Sequence, residues 1–367
     1  MSTESTSHIP EVQPDLAAVE AQTTPLRLGL VGNYADTEET RIFLTPEACG
    51  MLTSAGIHIE MEADAGIDIS FSDEQYAEYG VVITDRERAL EADIVLSYRP
   101  LRVADIERMR PGATLFCMMT SELFEKPVIE ALLKRDITLG TFDNMYSFND
   151  EPVFANIIDE INGRAAVVYA EEAMSFLGEG KGVLLAGVGG INPCEVLVIG
   201  AGTEVHAAAT AALNAGAIVT LMDNDISELQ VARQICGDRL QVAAIHPRVL
   251  YNKVKSADVI LLGSCTRQFE MPKKLNVAMK ESVYILDFSQ SEPSVSVPRT
   301  VAMALSSVLV NFFEEMVIKN GVDGMIASTH GVQSGIVTFR GKLVDKLIGS
   351  YTGLPAADIS MMLAGAN

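Results

Sequence analysis

Tryptophan is missing altogether from this chain, and both cysteine and basic side chains are scarce. Without tryptophan, the protein gives little background to a fluorescent ligand. The five cysteines, Cys49, Cys117, Cys194, Cys236 and Cys265, are odd in number and scattered, with no C-x-x-C spacing and no partnering histidines. This pattern excludes a disulfide-stapled scaffold, gives zinc no ligand set and fits a reducing cytoplasm. His58, His206, His246 and His330 are equally dispersed, so no metal is expected. With 27 Lys and Arg against 49 Asp and Glu the net charge is −22, which repels nucleic acid and anionic membrane surfaces. No early stretch joins a basic start to an apolar core, and no apolar run reaches the roughly twenty residues of a membrane helix. The expectation is a cytoplasmic protein with neither nucleic-acid nor membrane partners.

What is present is the composition of a folded chain: 48% hydrophobic and 21% charged residues over 367 positions, enough for two domains. Residues 1–25, rich in Ser, Thr, Pro, Glu and Gln, bury too little apolar surface to offset ordering entropy and read as a mobile arm. From residue 26 onward, short strands at 26–31, 57–61, 81–84, 94–97 and 114–118 alternate with helical stretches. The first helix opens at Thr45-Pro46-Glu47, where threonine caps, proline suits the first turn and the acid suits the positive helix end. Such alternation predicts βαβ units and a parallel sheet. A helical stretch over 157–177, apolar at three-and-four spacing, reads as a bridge between domains. Helices are also expected over 300–319, where Ala302, Leu305, Val308, Phe312 and Met316 recur at core spacing, and over 340–348.

The most informative stretch begins at residue 195. A buried strand over 195–199 runs into Gly200-Ala201-Gly202-Thr203-Glu204-Val205 and a helix over 206–215; a second strand over 218–222 ends in Asp223. A dinucleotide site demands this order. Gly200 permits the tight turn, Gly202 lets backbone amides approach a pyrophosphate, and the helix amino end adds a positive dipole. Asp223 is placed to accept hydrogen bonds from a ribose diol and to repel a 2′-phosphate, which favours NAD over NADP. Val205 fills the third glycine position, which should loosen helix-strand packing. Glu204 sets a carboxylate near the expected phosphates, with its side chain free to point to solvent. Further strands at 259–263 and 283–287 place Gly263 and Ser264 at the carboxyl edge of the sheet, beside the nicotinamide ribose. Gly200, Gly202, Thr203, Val205, Asp223, Gly263 and Ser264 are therefore assigned to NAD. A Rossmann-like domain that keeps the shape without the cofactor is the other reading. Cys265, with no neighbouring histidine, reads as an ordinary thiol.

Several anchors in order give the chain a family likeness: Arg41-Ile42-Phe43-Leu44-Thr45-Pro46, Phe71-Ser72-Asp73, Glu160-Ile161-Asn162-Gly163-Arg164, the run Gly180-Lys181-Gly182 to Gly189-Gly190, the glycine turn, Ala257-Asp258, and Val297-Pro298-Arg299-Thr300. On these residues the chain resembles the alanine dehydrogenase and pyridine nucleotide transhydrogenase family from Leu26 on. The resemblance implies an α/β fold of two Rossmann-like domains. The first is discontinuous (26–155 and 301–367), the NAD-binding domain (156–300) is inserted, and the active site lies in the cleft between them. It also implies a homo-oligomer, dimer or hexamer.

The family reaction, oxidation of L-alanine to pyruvate, implies a cation on the substrate carboxylate, a lysine and a histidine near the carbonyl carbon, and an aspartate. Arg41 stands at the family's carboxylate-binding arginine and is suited to grip a small carboxylate-bearing substrate. The lysine falls at Tyr98, whose reference pKa near 10 makes it a weak substitute. Arg99 restores the charge one residue away, although neighbours on a strand point to opposite faces. The histidine falls near Thr120 and the aspartate at Ser291. Where the family has a loop that covers the nicotinamide, only the short run 292–297 remains. Three readings stand at this point: an NAD-dependent oxidoreductase of altered amino or keto acid using Arg41, Tyr98 and Arg99; a catalytically silent NAD(H)-binding relative that acts through assembly or regulation; and an alanine dehydrogenase proper.

Overall fold

The computed structural model describes residues 26–118, 124–147, 149–176, 180–264 and 271–364. The arm expected at 1–25, Thr120 and Cys265 lie outside the described residues. The first helix opens as its sequence dictates: the Thr45 hydroxyl accepts the Ala48 N–H at 3.4 Å, and Pro46 starts the helix Pro46–Ser54.

Among the described residues the strands are β1 (Arg27–Leu30), β2 (His58–Glu62), β3 (Val82–Thr84), β4 (Ile94–Leu96), β5 (Thr114–Cys117), β6 (Thr138–Thr141), β7 (Glu195–Ile199), β8 (Ile218–Asp223), β9 (Gln241–Ala244), β10 (Val259–Leu262), β11 (Tyr284–Asp287), β12 (Ile336–Phe339) and β13 (Lys342–Leu343). They form two sheets, in the orders β13-β12-β6-β5-β4-β1-β2-β3 and β11-β10-β7-β8-β9. All pairings are parallel except those of β12, which runs antiparallel to both β6 and β13. The end of the chain thus returns to the sheet that opened it. Chain order reverses between β1 and β4 in the first sheet and between β7 and β10 in the second. Loops leaving two strands at such a point diverge to opposite faces and open a crevice at the carboxyl edge, so these two reversals locate the sites.

The helix Val153–Met174 joins the two halves, as its apolar spacing predicts. Phe154 and Ile161 sit in the core of the first sheet, while Ala166, Val167, Ala170 and Met174 sit in that of the second. The helix Pro298–Ile318 corrects one expectation, because it is long and apolar enough to cross a membrane. Here Val301, Leu305, Leu309, Phe313 and Met316 are buried in the first core instead.

The helix expected over 340–348 does not form. Arg340 and Gly341 take φ values of 46° and 70° and make the tight turn between β12 and β13. The next helix starts only at Lys346, capped by the Asp345 carboxylate on the Leu347 and Ile348 N–H groups at 2.7 and 3.0 Å. The start of the stretch is instead drawn into a hairpin, where Lys342 and Leu343 pair antiparallel with Phe339 and Thr338.

Where the bridging helix crosses the helix Thr203–Asn214, Gly163 lets the two backbones touch: a Cβ there would fall 2.1 Å from the Glu204 carbonyl oxygen. Gly163→Ala is expected to cost about 1–3 kcal/mol by overpacking, read as a lowered urea midpoint with an unchanged slope.

Candidate active site and cofactor turn

The reversal between β1 and β4 brings the loop carrying Arg41 against the end of β4. Arg41 is buried, with 1% of its side chain exposed, and its guanidinium is engaged on three sides. Nε and Nη2 donate to the two oxygens of Glu39, both at 2.7 Å. Nη1 donates to the Ser294 hydroxyl at 2.8 Å, and Nη2 also donates to the Glu292 carboxylate. The Tyr98 ring lies 4.5 Å beneath the guanidinium carbon. Arg99 completes the cluster, its Nε donating to Glu39 at 2.6 Å and its Nη2 to Glu292 at 3.3 Å. Burial pushes the Glu39 carboxyl upward, but the hydrogen bonds and charge of Arg41, joined by Arg99, outweigh it and hold the group below the usual carboxylate range. Burial also raises the Tyr98 phenol, which stays protonated, and its hydroxyl has no hydrogen-bond partner.

Arg41, Tyr98 and Arg99 therefore meet, and strand alternation does not separate the last two. β4 ends at Leu96, so both residues lie in the loop beyond it, where the alternation rule no longer applies. Three partners went unread in the sequence. Glu39 is close to Arg41 in the chain, a local cue, whereas Glu292 and Ser294 lie 251 and 253 residues away and leave no local signal. Ser291, set by the resemblance where the family has its aspartate, is half-buried and adjoins Glu292. The short 292–297 run is itself fastened down: the Val295 carbonyl accepts from the Thr40 hydroxyl at 2.7 Å, and the Ser294 N–H donates to Asn162 at 2.9 Å.

The reversal between β7 and β10 builds the second site. Gly200 and Gly202 take φ values of 116° and 112°, a region that L side chains rarely adopt. A Cβ on Gly202 would meet no heavy atom within 4 Å, so the space before the amino end of the helix Thr203–Asn214 is open. Thr203 donates through its hydroxyl to Asn156 at 3.0 Å, which anchors the turn to the bridging helix. Val205 is fully buried, and its packing is not loosened. The room a third glycine would supply comes from Gly263 across the crevice, where a Cβ would lie 2.6 Å from the Val205 methyl. Glu204 likewise departs from the expectation of a solvent-facing side chain. It is 5% exposed, and its carboxylate accepts the Ser264 N–H, because that amide at the end of β10 needs an acceptor and the turn points Glu204 inward. Asp223 ends β8 and accepts the Asp225 N–H at 2.7 Å.

With this geometry in place, comparison with known proteins is decisive for the family. Residues 33–155 match the profile described as "Alanine dehydrogenase/PNT, N-terminal domain", and residues 166–279 match "Alanine dehydrogenase/PNT, C-terminal domain". The chain belongs to this family. Its relatives include the alanine dehydrogenase of Mycolicibacterium smegmatis, 27% identical over 89% of this chain and 97% of that protein, and that of Mycobacterium tuberculosis, 26% identical over 92% and 100%. Among solved structures, an L-alanine dehydrogenase superposes with a TM-score of 0.81 at 19% identity, covering 89% of this chain and 98% of that one. A transhydrogenase from Sinorhizobium meliloti gives 0.71 at 17% identity, covering 88% and 99%. The fold is therefore that of two Rossmann-like α/β domains, and members of this family bind NAD(H). The residues present fit such a cofactor at the turn: the two glycines are in the required conformation, the space before the helix is open, and an acid ends the second strand.

Two stability predictions follow from the buried charges. Arg41→Ala strips Glu39 of its buried cation and is expected to cost about 3–5 kcal/mol, measured by urea unfolding. Asp159, on the bridging helix, is pushed up to about 7 by burial and by the charge of Glu204. The folded chain thus holds a proton there that the unfolded chain, with a pKa near 3.9, gives up. Stability is full below about pH 4 and is lost as pH rises to about 7. Asp159→Asn should therefore raise the unfolding free energy at pH 8 by more than about 1 kcal/mol, the worth of a single pKa unit, and by far less at pH 4.

Proposed function

We propose that this protein is an NAD(H)-binding member of the family that does not oxidise alanine. One observation carries this reading: the arginine at the substrate-carboxylate position already has two carboxylates from its own chain, Glu39 and Glu292, together with the Ser294 hydroxyl. Four of the five N–H donors of Arg41 are committed, and Tyr98 beneath it is buried and neutral. A substrate carboxylate would have to displace one of these partners to be bound.

Bound NAD would supply a hydride acceptor. The chain's own contribution is to hold it: amides at Gly202, Thr203 and Val205 on the pyrophosphate, Asp223 on the ribose diol, and Gly263 and Ser264 along the nicotinamide side. The Glu204 carboxylate, spent on the Ser264 amide, reduces the donors available there, so affinity is expected to be moderate. We place the cofactor within residues 156–300, and the Arg41 cluster where Arg41, Tyr98 and Arg99 of 26–155 meet Glu292 and Ser294 from the end of that same 156–300 segment. We further propose a cytoplasmic homo-oligomer, a dimer or hexamer, without nucleic-acid or membrane partners.

A second reading, an oxidoreductase of another amino or keto acid, draws on the hydroxyl of Tyr98, a buried donor without a hydrogen-bond partner on a ring stacked under the Arg41 guanidinium. An NADH titration followed by the ligand's own fluorescence, combined with an amino-acid and keto-acid turnover screen, separates the two. Saturable binding at micromolar NADH, weakened roughly tenfold or more in Asp223→Ala by loss of a charge-assisted contact, with no turnover, is the expected result. Turnover with any substrate favours the oxidoreductase, and absence of NADH binding by folded protein removes both readings.

A further inference from the structure

The two acids on Arg41 are not equivalent. Glu39 is a buried clamp: besides taking Nε and Nη2 of Arg41 it accepts that residue's own backbone N–H at 2.9 Å, and so fixes the direction of the guanidinium. Glu292 is a visitor. Its side chain is 45% exposed, it lies 251 residues further along the chain than Arg41, and a single oxygen, Oε2, receives Nη2 of Arg41 and Nη2 of Arg99 together. Both arginines thus turn an N–H toward one point on the open side of the cluster, and an anionic oxygen occupies that point. Glu39 and Glu292 each pair with both guanidinium groups. The backbone beside Glu292 is held independently of its carboxylate, through Ser294 to Asn162 and Arg41 and through Val295 to Thr40. The side chain is therefore free to rotate without unfastening the segment.

We propose that Glu292 is an internal stand-in for a ligand: its carboxylate fills a site for one small monocarboxylate formed by Arg41 and Arg99, and such a ligand binds only when Glu292 is displaced or removed. This rests on the reading above, in which occupation of Arg41 keeps alanine out, and it names the group responsible. An ion pair with a partner this exposed is weak on its own. A tethered carboxylate nonetheless competes at a millimolar or higher effective concentration, enough to exclude a free ligand of ordinary affinity. Removing the tether leaves the two guanidinium groups and their converging donors in place.

The test is a calorimetric titration of the full-length protein with sodium pyruvate, in wild type, Glu292→Ala and Glu292→Gln, with methyl pyruvate as the uncharged control and NADH fluorescence titrated on the same samples. Pyruvate affinity should rise by roughly tenfold or more on loss of the tethered competitor in both variants, while methyl pyruvate binds to none of the three. Equal affinity in wild type and variants, or no pyruvate uptake by variants that fold, overturns the proposal. Glu292→Gln keeps an acceptor for both arginines, which guards against loss of the fold. Wild-type crystals soaked in formate provide a check that needs no variant. Formate between Arg41 and Arg99 with Glu292 swung outward supports the proposal, and Glu292 still seated at high formate overturns it. If NADH fails to bind in every sample, the cofactor reading falls, while the pyruvate comparison still reports on Glu292.

Discussion

A guanidinium cannot be taken out of water unless its charge and its N–H groups are matched, and at Arg41 this requirement organises the cleft. Glu39, Glu292 and Ser294 satisfy it, and they come from opposite ends of the chain. By answering to one buried charge, the loop after β1, the loop after β4 and the short segment before the helix Pro298–Ile318 are held together. The short segment is in this sense a structural strap, tied again through Thr40 and Asn162. The same matching that makes the fold secure occupies the group that would otherwise recognise a substrate.

The cofactor turn shows a parallel economy of space. A tight passage between helix and strand needs one residue without a side chain, and it matters little on which side it stands. Val205 takes the helix side and Gly263 the strand side, so the packing that a third glycine in the turn would have secured is recovered across the crevice. Glu204, whose carboxylate seemed misplaced beside phosphates, has a local task on the Ser264 amide. Burial raises the carboxyl of Asp159 on the bridging helix, and the inward charge of Glu204 adds to it. That helix contributes to both cores, so a single element spans from the turn to the first sheet.

The sequence alone determined whatever depends on near neighbours. The capped start at Thr45-Pro46, the strand, glycine turn and helix from Glu195 onward, the terminal acid Asp223 and the bridging helix were legible because each is set by backbone sterics and apolar spacing within one stretch of chain. The ordered anchors carried the family with them. β6 was not legible: its four residues include Gly140, which is there because a Cβ would strike the Phe116 ring, a reason visible only once β5 lies alongside. Nor was the β12-β13 hairpin, where pairing of Lys342 and Leu343 with β12 takes the start of an expected helix into a strand. Tertiary structure alone decided the state of the site. Arg41 could be read as a carboxylate binder from its motif. That its carboxylates are Glu39 and Glu292 follows from pairing across as many as 251 residues, because burial sets the electrostatic demand and the fold, not the local sequence, determines which acids are near enough to meet it.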